Sequence, residues 1–247
     1  MRIGAALALL SVLICVAPAC SRGDFFRQNE YEEEIYLSLD GRATIYVNTS
    51  VAALNALRGT SFDASPSAQI DRDAVRAFFT SPVTRVTRTP SLSRRAGRRF
   101  VHVRLDVDHI EQLTGAAPFA WSAYHLTRDG ALVTFRQSIG AAADQSIGDV
   151  GWTGQETVSF RAHLPSTVIY HNAGPDGLKR GNILVWDQPL ASRLEGEPLE
   201  LEARMEAQSI LSRTLLLFGA TGMVVAIGFA LLIWWVVRRP EPGTPTG

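Results

Sequence analysis

Few residues in this chain could do chemistry. They are the Asp108-His109-Ile110-Glu111 cluster, the histidines at 102, 125, 163 and 171, a cysteine at position 20, and the arginines between 85 and 99. The acid-imidazole-acid cluster offers metal ligands or an acid/base pair, but its spacing favours a helix start. Asp108 as N-cap with Glu111 three residues on is a capping-box variant before a short helix closed by Gly115. His102, His125, His163 and His171 fall singly on predicted strands or their ends, where a hydrogen-bonded structural imidazole is the commoner state. The sequence has no Gly-x-Ser-x-Gly elbow, no His-Glu-x-x-His, no cysteine pair for zinc and no phosphate-binding glycine loop. The expectation is a protein without catalysis, cofactor or metal.

Charge narrows the partners. Lys and Arg total 24 and Asp and Glu total 24, so the net charge is zero and no bulk attraction to nucleic acid is implied. Locally, Arg85, Arg88, Arg94, Arg95, Arg98 and Arg99 occur with no acid among them. Such a run is either a solvated face or a patch for phosphate head groups or an acidic partner.

The elements that must position these residues begin with two apolar stretches. Arg2 followed by the apolar run Ile3 to Val16 reads as a secretory signal over residues 1–19, with Ala17-Pro18-Ala19 before the cut. Cys15 would leave with it, and Cys20 becomes the sole thiol of an exported protein, acylated as in a lipoprotein or idle behind a plain leader. Residues 214–237 contain the uncharged run Leu215 to Val237, long enough at ~1.5 Å per residue to cross a hydrocarbon core of roughly 30 Å. Trp234 and Trp235, then Arg238 and Arg239, form the aromatic and basic boundary of a cytoplasmic exit. The expected topology is therefore a single pass in a bacterial cytoplasmic membrane, with residues 20–213 outside as one domain and 238–247 as a short inner tail. Within the span Gly222, Ala226 and Ala230 recur at four-residue spacing, a stripe that permits close approach of a second helix.

Between these ends, periodicity predicts an α+β fold: a largely antiparallel sheet with two or three short helices. After a polar lead-in through Glu34, Ile35 and Leu37 pair with Ala43, Ile45 and Val47 around a three-residue loop, Leu39-Asp40-Gly41, with Gly41 left-handed. Thr49 or Ser50 caps a helix through Leu57 ended by Gly59, and Asp71 caps a second helix with Phe78 and Phe79 inward. Val83 to Thr89 with Phe100 to Val107 reads as a second hairpin, and Phe119 to Thr127 with Ala131 to Ser138 as a third, with Trp121 and Phe135 as core aromatics. Gly140 to Gly154 is a long Gly/Ala-rich loop. Val158 to Leu164, Thr167 to His171, Asn182 to Asp187 and Leu199 to Met205 are further strands, the last running almost straight into the span.

With Cys20, the Asp40-Gly41 hairpin, the Gly181-Asn182 to Trp186 strand and the terminal helix in place, the chain resembles the LppM-type family of bacterial envelope proteins. The resemblance implies an envelope protein whose external domain binds a lipid or glycolipid. A sheet with short helices beside a membrane can form an apolar cleft for such a ligand. The alternative class is a scaffold or assembly factor contacting other envelope proteins.

Overall fold

A computed structural model describes residues 28–143 and 145–238. Cys20 and the expected leader lie outside the described residues. The chain runs β1 (Gln28–Leu37), β2 (Ala43–Ser50), α1 (Val51–Arg58), α2 (Arg72–Phe79), β3 (Thr84–Val86), β4 (Ser91–Arg95) and β5 (Arg98–Val107). Two 3₁₀ turns, Ile110–Gly115 and Ala117–Phe119, lead to β6 (Ser122–Asp129), β7 (Leu132–Ile139), β8 (Glu156–His163) and β9 (Val168–His171). Then come β10 (Leu178–Lys179), β11 (Ile183–Pro189), α3 (Leu190–Leu194), β12 (Leu199–Glu206) and α4 (Ile210–Val237). The expected α+β class with three short helices and a terminal apolar helix is what the structure has.

The strands make two sheets. The larger has the order β10-β11-β8-β1-β2-β5-β3, with β4 also on β5, and the smaller has the order β6-β7-β12-β9. Every named pairing is antiparallel except β1 with β8. Alternation along each strand turns one side of each sheet inward. Ile35, Ile45, Val103 and Leu105 from the large sheet and Tyr124, Phe135, Leu201 and Met205 from the small one share a single buried core with Leu54 and Leu57 of α1.

The first hairpin has the expected register, Leu37 opposite Ala43 and Ile35 opposite Ile45. Its loop closes through Ser38 N–H to the Arg42 carbonyl at 2.9 Å, and Gly41 takes φ +86°, a conformation that disfavours any Cβ. Ser50 Oγ accepts the Ala53 N–H at 3.0 Å to start α1, and Gly59 ends it at φ +68°. Asp71 caps α2 as its position predicts.

Three local readings change. The polar lead-in through Glu34 is the greater part of β1, whose core face carries Tyr31 and Glu33 ahead of Ile35 and Leu37. The second hairpin is divided. β3 pairs with residues 105–107 of β5, whereas β4 pairs with 98–102 around an Ala96-Gly97 turn with both φ positive. Pro90 between them has no N–H for the ladder, so the strand cannot run through unbroken. Finally, Asp108 caps nothing: the 3₁₀ turn starts at Ile110 after His109, without a side-chain cap. The Ile110 N–H is taken by the Gly41 carbonyl at 2.9 Å, and Glu111 turns instead to the Leu126 N–H.

Candidate functional site

The buried polar residues come first, because each must be compensated. Glu33 projects from β1 into the space between the sheets, fully buried, and accepts from Tyr31 (3.0 Å), Tyr124 (2.8 Å) and Gln137 (2.9 Å). Burial pushes its carboxyl above the usual range, against those three donors and the field of Arg58. Arg58 lies 3.3 Å over the Trp121 ring, and burial lowers its guanidinium to about 10. This network joins β1 to β6 and β7. Its alternation signal was present in the sequence, with Tyr31, Glu33 and Ile35 at period two, but three consecutive glutamates obscured it.

A second network gathers at the starts of β1, β5 and β8. Arg98 pairs with Glu30 at 2.9 Å and approaches Glu156 at 3.7 Å, and donates to the Gly151 carbonyl. Glu30 also accepts from the Trp152 indole at 3.4 Å. Although burial opposes ionisation of Glu156, the N–H groups of Thr153 and Gly154 and the charge of Arg98 hold its carboxyl below the usual range. The long Gly/Ala-rich loop is thus tied down at its end by these bonds.

Arg98 consequently leaves the expected anionic-surface patch. Its side chain is only 9% exposed and neutralises Glu30, so it is a core cation. The other arginines are also divided. Arg85 stands opposite Asp106 near the C-terminal end of β5, while Arg94 and Arg95 flank the hairpin turn at the other end and Arg99 is half-buried. Arg95 covers the Phe100 ring at 4.4 Å and reaches the Asn29 carbonyl, and Arg94 reaches the Pro66 carbonyl. Arg85 and Arg88 are exposed away from this turn. Gly222, Ala226 and Ala230 lie on the exposed surface of α4.

The outer face of the large sheet carries the third constellation. His163 Nε2 is 2.6 Å from Glu34 and its ring stacks on Tyr36 with centroids 3.9 Å apart. Arg161 bridges Glu32 (3.2 Å) and Glu34 (3.6 Å), and Ser159 donates to Asp187 at 2.7 Å. His102 is held between Asn48 and Ser93, while His125 is exposed. Beside Arg161 and His163 a groove of about 1040 Å³ runs along β8 and β11, roofed by residues 173–180. Asn29, Ser159, Arg161, His163, Asp187 and Val185 form its floor and Asp176, Lys179 and Arg180 its rim. The roof is tight: a Cβ on Gly177 would meet the Ala173 carbonyl oxygen at 2.0 Å.

The apolar cleft expected beside the short helices is filled. Leu54, Leu57, Val75, Phe79 and Phe119 pack there with no more than 1% exposure each. Among the described residues no group of three or more His, Cys, Asp or Glu is arranged to hold a metal ion.

The groove reaches a particular end of the sheet, where His163 and Ile183 line it. Tyr36 pairs with His163, and His163 with Ile183. Just beyond, the Ile210 N–H at the start of α4 donates to the Pro165 carbonyl, and Ser166 Oγ donates to the Gln208 carbonyl. Residues Thr214–Trp235 of α4 are long and apolar enough to cross a membrane, and none of that window is buried in the domain.

No family model matches the chain, and no curated protein matches it. Among solved structures it has a weak likeness to the folded domain of the LppM (Rv2171) protein of Mycobacterium tuberculosis, with a TM-score of 0.39 and 14% identity, covering 74% of this chain and 94% of that one.

Proposed function

We propose that this is a bacterial envelope protein, anchored in the cytoplasmic membrane by α4, whose outer domain binds the polar head of a lipid, glycolipid or other amphiphile without chemical change. The observation that carries the reading is the groove along β8 and β11, one end of which lies at the end of the sheet joined to α4. Its walls suit a head group rather than a hydrocarbon tail. Arg161, Lys179 and Arg180 offer cationic donors, and Asn29, Ser159 and Asp187 offer directional hydrogen bonds. With the interior filled, the apolar part of the ligand stays in the bilayer. Its head then need only rise to the near end of the groove.

Mass spectrometry of the full chain extracted in mild detergent tests this. The wild type should carry a bound amphiphile, and Lys179→Glu with Arg180→Glu should lower its occupancy about tenfold, the factor for ~1.4 kcal/mol. Unchanged occupancy would remove the groove from the reading. A stable envelope-protein partner with no lipid would replace it with a scaffold.

A further inference from the structure

Outside α4, the large apolar side chains left exposed among the described residues are Tyr36 at 42%, Ile169 at 60%, Tyr170 at 46% and Leu178 at 39%. Strand register brings all four toward one end of the domain. Tyr36 is opposite His163, Leu178 is opposite Leu184 beside it, and β9 begins with Val168 opposite Met205, just before the chain enters α4. Exposed apolar residues scattered over a surface need no explanation, but residues gathered at the end from which an apolar helix leaves do.

We infer that this end of the domain rests in the head-group layer of the bilayer that α4 enters, with Ile169 and Tyr170 of β9 as its anchors. The inference rests on the membrane-anchored reading above, but not on the groove. Its first support is distance. Ile210, bonded to Pro165, precedes the apolar window at Thr214 by about 6 Å of helix. A head-group layer is about 5 to 7 Å deep, so the Pro165–Thr167 corner sits at that layer. Ile169 is two residues beyond Thr167, about 7 Å by strand rise, a gap closed by a domain leaning toward its β9 edge.

The second support is the geometry of β9 itself. Tyr170 pairs with Arg204 and Val168 with Met205, so Ile169 is the extra residue of a bulge, and both it and Tyr170 stand exposed on this edge strand. The bulge interrupts the regular ladder by which a further strand would cover this edge, and leaves the two side chains for a lipid layer. The Arg204 guanidinium lies 4.9 Å over the Tyr170 ring, and exposed Lys179 and Arg180 stand at the same end, the mixture of aromatic and cationic groups that suits an anionic interface.

The test places a nitroxide on the full chain, in a Cys15→Ser, Cys20→Ser background, reconstituted into vesicles of phosphatidylethanolamine and phosphatidylglycerol. Single labels go at Ile169→Cys, Tyr170→Cys and, as the distant control, Ala96→Cys at the hairpin turn. Retention of the chain after carbonate washing first establishes the anchor; loss there would sink the anchored reading itself. With the anchor intact, the ratio of collisions with oxygen to collisions with a water-soluble nickel chelate should be several-fold higher at 169 and 170 than at 96. Equal ratios at all three sites overturn the inference, and so does a high ratio at 96 alone. Strong spin-spin broadening at 169 or 170 would also overturn it, showing that a second copy covers the β9 edge.

Discussion

Glu33 and Glu156 both leave the solvent when the large sheet forms, yet their surroundings move them in opposite directions. Glu33 is raised by burial, so the folded chain keeps a proton that the unfolded chain releases near the ordinary value of about 4.3. Its contribution is therefore full below that value and is lost as pH rises through the raised one. Glu156 is lowered on balance, so its contribution is present above the ordinary value and is lost as pH falls through the depressed one. In detergent, the urea midpoint of Glu33→Gln should gain on the wild type as pH rises from about 4 toward neutrality. Glu156→Gln should lose most near neutrality and converge with the wild type in acid. The same slope for both variants would contradict the two assignments. Removing the acceptor altogether is a harsher change: Glu33→Leu strands the hydroxyls of Tyr31 and Tyr124 and the amide of Gln137, each costing about 1 to 3 kcal/mol when buried alone. A loss of at least about 2 kcal/mol is expected from denaturant unfolding.

At the scale of elements, what could be read from the sequence was what neighbouring residues decide. The Leu39-Asp40-Gly41 loop set the register of β1 on β2 because one residue of slip would have reversed the core face, and Ser50, Gly59 and Asp71 marked helix ends through local hydrogen bonds. The failures needed distant partners. Nothing near Arg98 announces Glu30, and nothing near Asp108 announces that the Gly41 carbonyl will take the next free N–H. The groove was unreadable for the same reason, since its floor brings Asn29 to Ser159 through the parallel pairing of β1 with β8. Its roof gives a test at this scale. Gly177→Ala puts a methyl against the Ala173 carbonyl, so the 173–177 turn must open and release the Val185 N–H from the Gly177 carbonyl, now 2.8 Å away. Hydrogen exchange at Val185 should quicken at least about tenfold, the effect of ~1.4 kcal/mol, while the amides of the β1–β2 ladder stay slow. An unchanged Val185 would mean the turn absorbs the methyl elsewhere.

For the whole molecule, the proposed anchorage makes one arrangement of the chain necessary: the groove, the β9 edge and both sheets share one side of the bilayer, and whatever follows Arg238 takes the other. The boundary has a physical marker in the Arg238 guanidinium, 4.5 Å over the Trp234 ring, while its N–H donates to the Trp234 carbonyl. A tryptophan and an arginine paired at a helix end suit the water-lipid boundary, where the ring remains in the interface and the charge reaches water. Arginines after a span hold that end in the cytoplasm, and here Arg239 follows Arg238 directly. Arg213 lies at the other end, one basic residue against two, so the local bias is modest. The prediction is that alkaline phosphatase fused after Gly247 is inactive in cells and a fluorescent protein at the same point is bright, while phosphatase fused after Glu206 is active. Activity after Gly247 with none after Glu206 would invert the molecule. It would put the groove in the cytoplasm, where a head group from the inner leaflet would become its ligand.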